Sequence, residues 1–410
     1  MKRVLLFGLV LSMIVSTGFS QQKYALSLEE AKNLALQKSP LYQLQVKRVE
    51  AQKGKYWVEM VPENPEIGVE SEQIPVGRPY SQYGERRVYI TQVVDFPSNY
   101  YFRHKMLNAR IRSEEFRLEE MKRELIFQVK VSYFNVLLQK ELVTLAKKNV
   151  ELSEDFYTRA KRSHELGESD RLTMLKAKVN LGEAQKRLNS VQKDLDAAVS
   201  KFRQVLGLGA DDPHVIDLTD TIPESPEDYS YEELQKRLAG HPALKAALAV
   251  RQEALNANRL AYGGFLPQIS LIYYNQEIER TNYWGGGIGL SFPLWFFGQK
   301  GRIQQKEAQL AIAEYFVSAE DLRLQKDLDQ AVANFEKAAN EVRLYQSSLL
   351  NEAEEVFRIA RKSYAVGEIG YLQFIDAQQT LIFTREGYLR SLVNYQIEKA
   401  HLTKLVGMEL

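Results

Sequence analysis

The chain has 410 residues, 45% of them hydrophobic, which is enough for folded cores rather than a disordered tail. Its 54 basic and 53 acidic residues leave a net charge of +1, so no overall single-sign field exists to hold nucleic acid or an anionic membrane surface. Cysteine is absent, which excludes disulfides, thiolate catalysis, cysteine-based metal sites and a lipid-anchor cysteine.

Residues 1–20 carry the pattern of an export signal: Lys2 and Arg3, an apolar stretch from Val4 to Val15, then the small-x-small triplet Gly18, Phe19, Ser20. Cleavage is expected after Ser20. The stretch is shorter than the roughly 20 apolar residues of a spanning helix, and no later window is apolar enough to span as one. Ser27 and Glu30 then make a capping box ahead of an amphipathic run that meets Pro40. Two short alternating runs follow, Glu66 to Gln73 and Val88 to Phe96, and read as a β-hairpin at about 65–96. Residues 98–212 contain no proline, as uninterrupted helices require, and read as a helical hairpin over about 98–207.

Apolar residues recur in its first arm at Phe127, Val131, Phe134, Leu138, Leu142, Leu145, Leu152 and Phe156. In the return arm they recur at Leu181, Ala184, Leu188, Val191, Leu195, Ala198, Phe202 and Val205, in alternating steps of three and four. An arm of about 60 residues would be on the order of 90 Å long, far more than a globular core needs.

An Asp- and Pro-rich linker, 208–229, separates this first copy, 21–207, from a second at 230–410. Ser230 with Glu233 repeats the capping box, Pro242 the proline, and Pro267 with Ile269 repeats Pro65 with Ile67. Strand-like runs at Gln268 to Glu277 and Tyr283 to Phe292 form a second β-hairpin at about 267–293, and a second helical hairpin is expected over about 298–407. Beyond the strands the copies keep a spacing of 200: Ser163 faces Ser363, Gly167 and Glu168 face Gly367 and Glu368, Leu172 faces Leu372, Ala177 faces Ala377 and Gly207 faces Gly407.

Aromatic residues cluster round the strands: Tyr80, Tyr83, Tyr100, Tyr101, Phe102, Tyr273, Tyr274, Trp295, Phe296 and Phe297. They suit the aromatic girdle of a membrane barrel, although two ordinary surface hairpins would carry buried aromatics too. Four strands cannot close a barrel, and an open sheet edge cannot exist in hydrocarbon, so a membrane sheet here demands two copies giving about eight strands or three giving about twelve.

In these features the sequence resembles the TolC-like outer-membrane efflux family, the outer-membrane factor of tripartite efflux systems, over nearly the whole mature chain from Leu26 to Gly407. The match is best at Tyr364-Ala-Val-Gly367 followed by Leu372, Asp376, Ala377 and Gln378. The resemblance implies a mainly α fold with a membrane β-barrel segment. Long antiparallel helical hairpins would form an α-barrel, and four strands per subunit would join a trimeric twelve-stranded barrel. It implies a homotrimer in the outer membrane of a Gram-negative bacterium, a periplasmic adaptor and an inner-membrane pump of RND, ABC or MFS type as partners, and outer-membrane lipid around the girdle residues Tyr80, Tyr83, Tyr273, Tyr274, Trp295 and Phe296. Leu166, Gly167, Glu168, Val366, Gly367 and Glu368 correspond to the adaptor-docking tips. Asp376, Gln373 and Thr173 correspond to periplasmic gate positions, of which only Asp376 keeps the acid, and Ile369 stands where a restraining arginine is found.

No enzyme is expected. His104, His164, His214, His241 and His401 lack metal-ligand spacing, the seven methionines form no cluster, and Gly285 to Gly289 is not followed by Gly-Lys-Ser or Gly-Lys-Thr, so neither metal nor cofactor is implied. The function expected is a passive exit duct. A periplasmic coiled-coil adaptor or scaffold, or a duct for type I protein secretion, are the alternatives.

Overall fold

A computed structural model describes residues 23–209 and 215–408. The expected export signal and His214 lie outside the described residues. Strand β1 (Lys23–Leu26) leads into α1 (Leu28–Lys38), α2 (Pro40–Met60), β2 (Glu66–Glu72), β3 (Glu85–Val94), α3 (Pro97–Glu165) and α4 (Arg171–Leu206). The second half runs β4 (Val215–Leu218), α5 (Tyr231–Leu238), α6 (Pro242–Tyr262), β5 (Gln268–Ile278), β6 (Thr281–Ser291), α7 (Phe296–Leu344), a π-turn at Tyr345–Leu349, α8 (Leu350–Ala365) and α9 (Tyr371–Val406). The order of elements is thus written twice, and the fold is mainly helical with a small sheet.

Local chemistry explains most boundaries. The Ser27 capping box forms in full, the Glu30 carboxylate accepting the Ser27 N–H at 2.8 Å and the Ser27 hydroxyl accepting the Glu30 N–H at 3.3 Å. Its expected counterpart does not: Ser230 occupies the N-cap of α5, but its side chain makes no capping bond. Pro40, Pro97 and Pro242 begin their helices, where the missing N–H costs nothing. Gly207 and Gly407 end α4 and α9 in the left-handed conformation, with φ of 75° and 70°.

The hairpin arms are unequal in length. Helix α3 has 69 residues, about 100 Å, while α4 and α9 have 36 each, about 54 Å. The remaining length of wall is filled by α2 and α6, which pack on α3 nearer the sheet, while α4 and α9 pack on it nearer the tips. The helices stack end to end. At Gly207 a β-carbon would lie 2.5 Å from the Lys38 carbonyl oxygen, because the end of α4 abuts the start of α2. At Gly407 it would lie 2.8 Å from the Arg123 guanidinium, whose charge also acts on His241 at the start of α6.

Helix α3 is sheathed on most sides at mid-length, where Val129, Tyr133, Val136 and Leu142 are buried. The apolar series of its return arm faces this core, with Ala184, Val191 and Phe202 buried. Leu152 departs from the expected seam and is 44% exposed. Residues 215–229 of the expected linker are bound closely to the wall: β4 pairs in parallel with β1, Asp220 accepts from the Tyr133 hydroxyl at 2.8 Å, and Gln396 donates to the Pro223 carbonyl at 3.0 Å.

Candidate duct wall and hairpin tips

The four-stranded sheet has the order β2-β3-β5-β6, every neighbour antiparallel, so pairing of β3 with β5 joins the two copies. Glu279 and Arg280 turn the second hairpin with φ of 47° and 69°, the left-handed pair that a two-residue loop uses. The strands reach slightly beyond their expected limits at Glu85 and Ile278 and stop short of Gln73, which adopts a φ of 55°.

Register sorts the side chains onto two faces. Ile67, Val69, Ile90, Leu271, Tyr273, Trp284, Ile288 and Leu290 share one face, and all are exposed. Trp284 at 78% and Ile288 at 75% are largely uncovered, so this is an apolar surface awaiting an apolar neighbour. The opposite face carries Glu66, Glu70, Glu72, Glu85, Arg87 and Gln276. Arg87 lies 3.7 Å from Glu70 and 3.9 Å from Glu85, with the Tyr274 ring 5.1 Å beneath it. Glycines on this face admit bulky cross-strand partners: a β-carbon at Gly68 would strike Tyr89, and one at Gly285 would strike Tyr274. Alternation of apolar outside with polar inside is the pattern of membrane-barrel strands.

The girdle residues do not form one belt. Tyr80 is exposed and Tyr83 half-buried in the loop beyond β2, the Tyr83 hydroxyl donating to Glu277 at 3.1 Å. Trp295 and Phe296 lie exposed at the opposite, helical end. Tyr273 is mid-strand on the apolar face. Its neighbour Tyr274 turns to the polar face, because consecutive strand residues alternate, and therefore leaves the belt.

The sheet leaves β2 and β6 each paired on one side only. The helical wall repeats this layout: α2, α3, α6, α7 in order near the sheet, and α4, α3, α9, α8 near the tips. Each edge exposes apolar side chains, Leu41 and Trp57 on α2, Leu172 and Val179 on α4, Ile312 and Phe316 on α7, Val356 and Ile359 on α8.

At the tips the two turns are built alike. Gly167 and Gly367 take φ of 77° and 79°, and the Glu168 and Glu368 N–H groups donate back to Ser163 and Ser363 carbonyls at 2.9 and 2.8 Å. The Ser163 and Ser363 hydroxyls donate to the carboxylates of Glu168 at 3.3 Å and Glu368 at 2.9 Å. Leu166 at 64% and Val366 at 71% exposure project from the turns.

Behind the tips an aromatic cluster missed by sequence reasoning ties one hairpin to the other. Phe156 of α3 stacks on Tyr371 and Phe374 of α9, at 4.7 and 5.5 Å between centroids, and Tyr364 stacks on Phe374 at 5.1 Å. Burial pushes the Tyr371 phenol up to about 12, so it stays neutral. The repeat itself was the available signal, since Phe156 was already in the apolar series.

Thr173 and Gln373 occupy the first turns of α4 and α9, and Ala177 and Phe374 just beyond them share one buried cluster with Phe156 of α3. The Thr173 N–H donates to Asp170 at 2.7 Å, and hydrogen bonding from the Thr173 side chain and then from this N–H holds the Asp170 carboxyl below its usual range. Gln373 caps its own helix, its side-chain oxygen accepting the Gly370 N–H at 3.1 Å. Asp376 is exposed on the second turn of α9, and its carboxylate forms no ion pair with the described residues.

Among the described residues no group of three or more His, Asp or Glu is placed to hold a metal. The Nδ1 of His104 lies 2.7 Å from the Tyr56 hydroxyl, and His241 Nδ1 accepts the Ala243 N–H at 3.1 Å as a helix cap. Likewise, no described helix is long and apolar enough to cross a membrane.

A strip with one bare apolar sheet face, one polar face and two open edges along its length has the form of a segment of barrel wall. The chain belongs to the outer membrane efflux protein family, whose model matches residues 105–208 and 234–408. It is similar to the cobalt-zinc-cadmium resistance protein CzcC of Cupriavidus metallidurans, 24% identical over 268 residues that cover 64% of this chain and 62% of that protein. The match therefore spans only about three fifths of that curated relative's length. The fold is that of solved outer-membrane channels. CusC superposes with a TM-score of 0.77 at 16% identity, covering 94% of each chain. The CmeC outer membrane channel of Campylobacter jejuni superposes with 0.75 at 15%, covering 93% of this chain and 85% of that one.

Proposed function

We propose that the protein is one subunit of a homotrimeric exit duct in the outer membrane. It would passively conduct substrates delivered by an inner-membrane pump and a periplasmic adaptor. The observation that carries this reading is the sheet: an exposed apolar face backed by a charged one, with β2 and β6 both open. Backbone groups at those edges cannot remain unpaired in hydrocarbon, so β6 of one copy must meet β2 of the next until the ring closes. Three copies give about twelve strands, wide enough for an aqueous lumen. The same ring brings α2 and α4 of one copy against α7 and α8 of another and covers their apolar edges.

Leu166, Gly167, Glu168, Val366, Gly367 and Glu368 form the surface that meets the adaptor, each tip offering an exposed apolar side chain beside a carboxylate. Asp376, which the threefold axis would bring near its own copies, is the gate residue. Gln373 and Thr173, on the first turns of α9 and α4, are the other gate candidates.

Purified protein should migrate as a heat-modifiable oligomer and produce ion conductance in planar bilayers. A folded, water-soluble monomer giving no conductance would overturn the reading. Crosslinkers at Glu168 and Glu368 should capture a periplasmic helical-hairpin protein, and Asp376→Ala should relieve block by multivalent cations.

A further inference from the structure

The near-zero net charge conceals a local separation where the helices leave the sheet. In α3 the first acid after Pro97 is Glu114, and Arg103, Lys105, Arg110 and Arg112 come before it. In α7 the first acid is Glu307, preceded by Lys300, Arg302 and Lys306. A helix N-terminus is the positive end of the macrodipole and favours acids. Helices α1 and α5 follow that rule, with Glu29, Glu30, Glu232 and Glu233 in their first turns. The two helices that emerge from the sheet invert it, so their cations answer to something outside the helix.

These cations divide between the two sides of the wall. Arg103 and Arg110 lie on the side of Asp95 and Gln268, which continues the polar face of the strands, and both are ion-paired. Arg103 bonds Asp95, and Arg110 bonds Glu253 at 2.8 Å and Glu59 at 3.3 Å. Lys105 is two residues from Arg103 and Lys300 two from Arg302, which turns each about 160° away, to the side that continues the apolar face.

Lys105 sits 4.5 Å over the Tyr101 ring and Arg259, near the end of α6, 5.9 Å over Phe102. All three of Lys105, Arg259 and Lys300 are exposed, and no described carboxylate pairs with them. The nearest acid on α7, Glu307, is taken by the Tyr262 hydroxyl at 2.6 Å. About one turn closer to the sheet on the same helices, the exposed rings of Tyr101 and Phe297 precede Lys105 and Lys300. At 1.5 Å per residue the three cations fall about 5–12 Å along their helices from the ends nearest the sheet, the depth of a phosphate headgroup layer.

We propose that Lys105, Arg259 and Lys300 form a collar that binds the headgroups of anionic phospholipids in the leaflet on the helical side of the sheet. Aromatic rings mark the hydrocarbon boundary, and unpaired cations one step beyond it meet the phosphates. The proposal rests on the membrane reading of the sheet.

The test reconstitutes the full chain into phosphatidylcholine vesicles containing a minority of phosphatidylglycerol, extracts it in mild detergent and quantifies the retained lipid. Each cation near such a surface contributes about a fivefold preference. Phosphatidylglycerol should therefore be enriched in the wild type at low salt and lost at high salt. The K105Q/R259Q/K300Q variant should lose enrichment by about tenfold or more, while K105R/R259K/K300R should keep it. Absence of enrichment in a wild-type protein that inserts and conducts would overturn the collar alone, as would undiminished enrichment in a folded glutamine variant. A protein that does not insert into these vesicles would remove the membrane reading and the collar with it.

Discussion

The ring of Tyr371 stacks on that of Phe156 with 4.7 Å between centroids, and this contact joins the start of α9 to the long arm of the other hairpin. Phe156 is buried, and Tyr364, Phe374 and Tyr371 surround it. Phe156→Ala should cost about 3–5 kcal/mol of local stability, the usual loss for a buried ring. Hydrogen exchange at residues 160–180 and 360–380 should accelerate, with the sheet unaffected. Unchanged protection at the tips would show that the cluster does not join them.

Gly207 and Gly167 share a left-handed φ but differ in surroundings. A β-carbon at 167 meets nothing within 4 Å, whereas one at 207 meets the Lys38 backbone. Gly167→Ala should therefore cost only the conformational penalty, about 1–2 kcal/mol. Gly207→Ala adds a clash between two helix ends that cannot yield independently, and should cost clearly more. Denaturation midpoints of the two variants, if equal, would contradict the end-to-end packing of α4 on α2.

On its polar face the sheet sets Glu66, Glu70, Glu72 and Glu85 against Arg87 alone. If that face lines the lumen, reversal potentials in a salt gradient should favour cations, and joint replacement of Glu66, Glu70 and Glu72 by Gln should reduce the permeability ratio by about two- to fivefold. The preference should fade near 1 M salt, where the screening length falls to about 3 Å. A variant with unaltered selectivity would place the charge filter elsewhere.

Burial and the nearby Arg123 and Arg323 guanidinium groups hold the His241 imidazole down to about 4. Glu320 opposes this shift and Lys404 reinforces it. The lowered value belongs to the folded state, so the unfolded chain binds the proton first as pH falls. Stability is complete above about pH 6.5 and declines as pH drops towards 4, by an amount on the order of 2–3 kcal/mol. Protonation also removes the acceptor that Nδ1 offers to the Ala243 N–H. Burial holds His401 below its usual value as well, which adds in the same direction. His241→Asn keeps a capping acceptor without a proton to gain. Melting temperatures measured between pH 7 and pH 4 should fall less for this variant than for the wild type, and parallel curves would exclude His241 as the source.

Much of this architecture was legible residue by residue because its signals are local. Pro40, Pro97 and Pro242 start helices through fixed φ and a missing donor, Gly207 and Gly407 end them through a conformation other residues resist, and alternation in β6 displays its exposed face directly. The matching of Gly167 with Gly367 made the repeat visible even at low identity, because each must reverse a helix.

What the sequence alone determined is therefore the main helices and the two β-hairpins, their duplication and the sidedness of β6. Only tertiary structure decided that α2 continues α4 and α6 continues α9, that β3 pairs with β5, and that Phe156 reaches Tyr371. These relations join residues more than a hundred positions apart or depend on strand register, and no local preference of φ, ψ or burial encodes which distant partner a helix end or a ring will meet.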